Sequence, residues 1–337
     1  MDADRPSADE APRVETLSDL RDELSALHTH VTRTLEPSMV TREDLERALV
    51  AHRERGTTAF THDNLPHPAL VKDMWLRLRS ARQPLAFEDV AFGILSQNGE
   101  DGILMYILSV IGMRSYRCVE VGCDLSGSSV GVPECSTGNL ILNFSFDGLV
   151  LEKDEAKVGA IGHFFSRALT TRHFHRPRTA SGEAGPFSPR ILAAEVMPAT
   201  LNELVAKAGY VGEVDVYSQD FDGPDVETWR RLDAIDPRVV MVEINSRIPF
   251  TDVVHGTWST STAPPETLEY QASSGSSLAA ACEVADEKGY VFVGLDPTLL
   301  NAFFVRRDEW VPDMLPERRA ADYAEHRFSV LHRIGAR

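Results

Sequence analysis

Near the end of the chain two apolar runs, YVFVGL (290–295) and NAFFVRRD (301–308), are separated only by DPTLL. So short a link closes an antiparallel hairpin, because a parallel crossover needs a dozen residues or more. Upstream the pattern is different. The strand-like runs YRCVEVGC (116–123), DGLVLEKD (147–154), RILAAEVM (190–197), EVDVYSQD (213–220) and RVVMVEIN (238–245) alternate with helical stretches at 154–168, 200–208 and 225–234. Strands alternating with helices predict a doubly wound parallel sheet. SSLAAACEVADEKG then supplies a helix with Leu278, Ala281, Cys282 and Ala285 on one side, ahead of the hairpin. The expected fold is therefore α/β, Rossmann-like and seven-stranded, with an antiparallel last strand.

The 337 residues suffice for one large α/β domain with extensions. Residues 1–13 are polar and read as a disordered tail, residues 14–90 as a helical N-terminal region, and 91–337 as the α/β domain. In VETLSDLRDELSALHTHVTRTLE, Leu17, Leu24 and Val31 are seven apart, as are Leu20 and Leu27. Such a narrow seam either packs on its own domain or joins two copies into a homodimer. Thr41 and Asp44 fit a capping-box variant opening a second helix, with Leu45 and Leu49 on one face.

Acidic residues outnumber basic ones by 51 to 34, a net charge of −17. That average field repels a phosphate backbone, so nucleic acid is not an expected partner. No apolar run approaches the roughly 18 residues of a membrane helix, and MDADRPSADEAPR lacks the regions of a signal peptide. The expectation is a cytoplasmic protein, with the Arg- and Ala-rich, Lys-poor usage of a high-GC bacterium. None of Cys118, Cys123, Cys135 and Cys282 forms a C-x-x-C pair, so zinc is not expected. Cys123 and Cys135 are candidates to pair, and a reduced setting leaves them as thiols.

The strand ends carry the chemistry. In a parallel sheet, ligands collect beyond the carboxyl ends of the strands, at the point where the strand order reverses. VEVGCDLSG places Glu120, Gly122, Asp124 and Gly127 at the end of the first strand. Glycine allows close backbone approach, and an acid there can hold an ammonium. The spacing is not G-x-G-x-x-G, so a pyrophosphate turn is not expected. The second strand ends in Glu152, where a carboxylate can accept both ribose hydroxyls of an adenosine.

DVYSQDFDGPD (215–225) closes the fourth strand. An EF-hand loop counted from Asp220 would want glycine at position six and glutamate at twelve, and neither is met. Gly223 as N-cap, Pro224 at N1 and Asp225 and Glu227 in the first turn read as a helix start. Asp220 and Asp222 share one side of the strand end. Glu243 and Asn245 do the same on the fifth strand. If those strands are neighbours, the oxygens of Asp220, Glu243 and Asn245 form a candidate site for Mg²⁺, Mn²⁺ or Ca²⁺. Without a metal, Asp222 or Asp220 serves as general base, or Asp220 faces a cofactor ammonium. In the long polar loop after the fifth strand, His255 is a second candidate base, with Trp258 and Tyr270 as candidate pocket walls. RHFHRPR (172–178) carries basic residues that read as a solvated loop.

ILSQNGEDGIL (94–104), CVEVGCDLSG, FDGLVLEKD, YSQDFDGPDVETWRRL, PRVVMVEIN and the final helix and hairpin resemble, in the same order, segments of the FkbM-type S-adenosylmethionine (SAM)-dependent methyltransferases. The resemblance spans roughly residues 90–310. It implies a class I methyltransferase fold, SAM as cofactor, and methylation of a hydroxyl on a sugar or small natural product. By position it implies that Gln97, Asn98 and Glu100 reach the methionine end of SAM, that Glu120, Gly122 and Asp124 belong to the cradling turn, and that Glu152 is the ribose acid. Two departures stand out. The compact first turn is GCDLSG followed by an extra SSVGVPECSTG, and GPD replaces the GND of the fourth-strand segment. Two other classes fit the same pattern: an enzyme of this fold that binds SAM or a nucleoside without methyl transfer, and a non-catalytic scaffold.

Overall fold

The computed structural model describes residues 68–125, 132–172, 189–256 and 274–323. All of them belong to one of the two units into which the chain divides, Val40–Arg337. The heptad segment and the Thr41 cap lie outside the described residues. So do Trp258, Tyr270 and the basic run after Arg172.

Among the described residues, three helices precede the sheet: α1 (Pro68–Ser80), α2 (Phe87–Val90) and α3 (Glu100–Ile111). Then follow β1 (Arg117–Val121), α4 (Gly138–Phe144), β2 (Asp147–Glu152), α5 (Glu155–Arg172), β3 (Arg190–Ala193), α6 (Leu201–Lys207), β4 (Gly212–Gln219), α7 (Asp225–Arg231), β5 (Ile235–Glu243), α8 (Leu278–Lys288), β6 (Tyr290–Leu295) and β7 (Asn301–Arg306). The strand order is β3-β2-β1-β4-β5-β7-β6, parallel through β5, with β7 antiparallel between β5 and β6. That order is the class I methyltransferase fold, and the terminal hairpin lies where the short DPTLL link requires it. β3 stops at Ala193, earlier than the apolar run suggests. It is an edge strand whose only partner, β2, ends at Glu152 opposite Ala193.

The sheet is buried on both faces because alternate residues feed two cores. Cys118, Val150, Val216, Val239 and Phe303 pack with α3, α4 and α5 on one face. Val119, Leu149, Tyr217, Val240 and Phe304 pack with α6, α7 and α8 on the other. The end of the sequence-assigned N-terminal helical region joins the first core: Val71 and Met74 of α1 are buried there, and Trp75 meets Phe144 of α4 edge-on at 5.4 Å.

Asp215, the first acid of the β4 segment, is structural. It is fully buried and accepts the backbone N–H groups of Arg114 (3.1 and 3.0 Å) and Tyr116 (2.7 Å). Its counter-ion is Arg238 of β5, Nη1 to Oδ1 at 2.7 Å. Arg238 also donates to the carbonyls of Ile111 and Gly112 and pairs with Glu309 at 2.7 Å. This buried group ties the end of α3 to β4, β5 and the segment after β7. Replacing Arg238 with Met leaves the Asp215 charge buried without its partner. The expected cost is about 3–5 kcal/mol of unfolding free energy, read as a lowered urea midpoint against wild type.

Candidate functional site

A cavity of about 340 Å³ opens at the carboxyl ends of β1, β2, β4 and β5, a size within the range of small-molecule sites. It straddles the switch point, where the order turns from β1–β2–β3 one way to β4–β5 the other. Gly122 makes the turn out of β1 at φ +84°, in the left-handed region. A Cβ there would lie 1.7 Å from the carbonyl oxygen of Asp220. Glycine is thus required twice over, by conformation and by close approach.

The SQNGED segment reaches the cavity because Asp101 folds it back. The buried Asp101 Oδ2 accepts the N–H groups of Ile94 (2.6 Å), Leu95 (2.8 Å) and Ser96 (2.9 Å), and the Ser96 hydroxyl (2.9 Å). Gln97, Asn98 and Glu100 consequently line the cavity. Glu100 accepts from the Asn98 N–H at 2.7 Å and from Asn301 Nδ2 at 2.8 Å. Burial, then the nearby Asp296, pushes its carboxyl up to about 8.

Glu120 also lines the cavity; its oxygens accept the N–H groups of Ser136 (2.8 Å) and Thr137 (2.9 Å), and the Thr137 side chain adds a further hydrogen bond, so it has less acceptor capacity left than Glu152. It anchors the loop leading into α4, and burial raises it to about 7. Glu152 accepts one N–H on each oxygen, from Cys123 (3.3 Å) and Asp154 (2.9 Å). A carboxylate offers about four acceptor positions, so two remain for a pair of vicinal hydroxyls. Asp124 pairs with Lys157 of α5 at 2.6 Å, which raises the Lys157 pKa chiefly through that hydrogen bond.

Asp220 and Glu243 meet across the ends of β4 and β5. Their register is direct, since Gln219 pairs with Val242 one residue earlier on each strand. The two carboxyls lie within reach of each other, and beyond burial the nearness of Asp220 raises Glu243. Asp220 reaches solvent through the cavity, while protein encloses it on its other sides. That enclosure raises it to about 6, with Asp222, Asp296 and Asp124 adding to the rise and the Glu243 hydrogen bond opposing it. Glu243 is raised further, by burial and then by Asp220. Asp222 is exposed at the rim in a left-handed conformation, φ 56°, and its N–H donates to Glu243 Oε2 at 3.3 Å.

Other candidates lie elsewhere. Asn245 does not join Asp220 and Glu243 at the cavity. Its Oδ1 accepts the Arg247 N–H (3.0 Å) and its Nδ2 donates to the Ser274 carbonyl (2.8 Å), so its amide fastens the loop after β5. Among the described residues no group of three His, Cys, Asp or Glu side chains is placed to hold a metal ion. With Asn245 turned away, the residues present do not complete the three-ligand site that the sequence offers for Mg²⁺, Mn²⁺ or Ca²⁺. His255 is absent from the cavity lining, and its Nε2 lies 3.6 Å from Glu283 of α8. The cap of α7 falls at Pro224, one position after the expected Gly223, so Asp225 is N1. Its buried carboxylate accepts the Gly223 N–H at 2.9 Å and Gln219 Nε2 at 3.1 Å. Glu134, Cys135, Lys157 and Glu195 line the cavity unannounced. Glu195 follows the end of β3 and was open to the strand-end logic that found Glu152. The other three depend on how the loop and α5 fold back.

Nine acidic residues and two lysines line the cavity. Such a lining favours a cationic ligand, and the residues fit SAM. Glu152 has acceptors left for the ribose, while Gln97, Asn98 and Glu100 offer polar groups to an amino-acid end and Asp220 stands free of it at the end of β4.

No family model and no curated protein matches the chain. Among solved structures it is similar to the magnesium protoporphyrin IX methyltransferase of Synechocystis PCC 6803 with bound SAM (12% identity, 74% of this chain and 100% of that one, TM-score 0.37). It is also similar to an O-methyltransferase of Bacillus cereus in complex with SAH, S-adenosylhomocysteine (13%, 77% and 95%, TM-score 0.36). A third is the N-terminal domain of EvdMO1 in the presence of SAH and D-fucose (14%, 74% and 99%, TM-score 0.33). The fold assignment rests on the strand order and not on these overlaps. Among the described residues no helix is long and apolar enough to cross a membrane.

The raised carboxyls make stability depend on pH. Glu100 (about 8), Glu120 and Asp225 (about 7) and Asp101 and Asp220 (about 6) bind protons more tightly folded than unfolded, where ordinary values are 4.5 and 3.8. Their contribution is full below the unfolded values and is lost as pH rises through the folded ones. The melting temperature should therefore fall from about pH 4.5 to about pH 8. Glu120→Gln and Glu100→Gln should each flatten that slope, as followed by thermal unfolding in matched buffers.

Proposed function

We propose that the protein is a cytoplasmic SAM-dependent methyltransferase of FkbM type that methylates a hydroxyl of a sugar or small natural product. One observation carries the reading. An acid-lined cavity lies at the switch point of the seven-stranded sheet, with Glu120, Gly122 and Glu152 at the ends of β1 and β2 in the order an adenosine site requires. The ordered motifs from SQNGED to the terminal hairpin support the subfamily.

When bound, SAM supplies a methyl group on a sulfonium, transferable by in-line displacement. The protein's tasks are to align donor and acceptor and to remove one proton. Glu152 orients the ribose. Gln97, Asn98 and Glu100 bound the end where the amino-acid portion lies, and the negative lining favours its positive charges. Asp220 takes the acceptor's proton, in preference to the sequence candidates Asp222 and His255. Its carboxyl sits near 6, so it is largely ionised at neutral pH yet basic enough to accept, as a general base should be. Glu243 holds Asp220 in place, and Asp222 stands at the rim where an acceptor enters.

Transfer of labelled methyl from SAM to a panel of neutral polyols and glycosides tests the reading. The expected rate rises with pH through about 6 and then levels, and Asp220→Asn lowers kcat by about 10²–10⁴ while SAM still binds. A wild-type chain that binds SAM but shows no transfer to any hydroxyl acceptor would sink the assignment. Full activity in Asp220→Asn would remove Asp220 from the role.

A further inference from the structure

The loop after β1 is closed by one antiparallel rung. The Asp124 N–H donates to the Glu134 carbonyl (3.2 Å) and the Glu134 N–H to the Asp124 carbonyl (2.7 Å). The residues flanking a rung of this kind form the non-hydrogen-bonded pair, with Cα atoms about 4.5 Å apart and side chains on the same side. Those residues are Cys123 and Cys135. A separation of that size falls inside the range over which a disulfide bridges two chains with little backbone movement. Both side chains pack in the same buried cluster. Both are buried, at 3% and 1% exposure, and both line the cavity. The cavity connects them to solvent, which a core thiol such as Cys118 lacks.

We propose that Cys123 and Cys135 form an oxidation site that a hydroperoxide entering the cavity converts to a disulfide, clasping the β1 turn to the start of α4. The neighbouring Cys135 lowers the Cys123 thiol, but burial and the carboxylates of Glu120, Glu152 and Asp124 leave it raised; Cys123 and burial hold Cys135 well above the ordinary thiol range. Whichever of the two ionises first attacks. Its thiolate forms an S–O bond as the peroxide O–O bond breaks and the leaving oxygen departs as water or an alcohol. The other thiol then gives up its proton and attacks that sulfur, forming S–S as the S–O bond breaks and a second water leaves. Two thiols are oxidised by two electrons and one peroxide is reduced.

The site is independent of what the cavity binds, but a cavity ligand covers it. The test is intact mass and peptide mapping of the full-length protein after hydrogen peroxide, with free thiols alkylated under denaturing conditions. The expected result is loss of two hydrogens per chain and a cross-linked peptide joining Cys123 to Cys135, reversed by dithiothreitol. The cross-link should persist in Cys282→Ser and vanish in Cys123→Ala and Cys135→Ala. If those two variants fail to fold, the wild-type map decides. Thiols at 123 and 135 that remain fully alkylatable, that over-oxidise separately, or that link to Cys118 or Cys282 overturn the proposal. Saturating SAH should slow cross-linking. The same cross-link at an SAH-insensitive rate upholds the oxidation site and counts only against the cofactor reading.

Discussion

The cavity depends on one close contact, that of Gly122 against the carbonyl of Asp220. β1 and β4 are adjacent parallel strands, and at their carboxyl ends the chain must leave in two directions at once. A side chain at 122 would fill the space that Asp220's backbone occupies. With glycine there, the β1 turn lies flat across the end of β4. The Gly122 N–H still reaches the Leu151 carbonyl, and the Asp220 N–H still reaches that of Val121. Glu152, Asp220 and Glu243 are thereby gathered around one opening. The far end of the sheet is held by a different device, the buried Asp215–Arg238–Glu309 group. One end of the sheet is thus locked by buried paired charge, and the other gathers carboxyls around an opening.

Those carboxyls are costly to ionise together. Burial raises Glu100, Glu120, Asp220 and Glu243; Asp222, Asp296 and Asp124 raise Asp220 further, and Asp220 raises Glu243. The protein meets the cost by holding protons on some of these acids and by turning backbone N–H groups toward Glu120 and Glu152. A cationic ligand relieves the same repulsion, so ligand binding and proton release are linked.

Much of this was legible in the sequence because it rests on period and spacing. The short DPTLL link fixes the hairpin, and the alternation of strands and helices fixes the parallel portion. Strand-end logic finds Glu120, Glu152, Asp220 and Glu243 because each lies at the last residue of a strand or beside it. What was not legible depends on side-chain partners. Asn245 has the right distance from Glu243 for a shared ligand, yet its amide is spent on Ser274 and Arg247. His255 has suitable chemistry but faces Glu283. Glu120 has the expected address, and its oxygens are taken by Ser136 and Thr137, residues of the loop by which the sequence departs from the compact turn. Cys123 and Cys135 were candidates to pair from the sequence, but the Asp124–Glu134 rung beside them is one that no periodicity announces.

The central claim is that the acid-lined opening at the switch point holds an adenosine-bearing cation, with Glu152 as its ribose partner. Calorimetric titration of the full-length protein with SAM and SAH, repeated on Glu152→Ala, tests it most directly. The account predicts saturable binding of both by wild type and a marked loss of affinity for both in the variant, at unchanged secondary structure by circular dichroism. Equal affinities in the two proteins, or no binding by wild type, would contradict it.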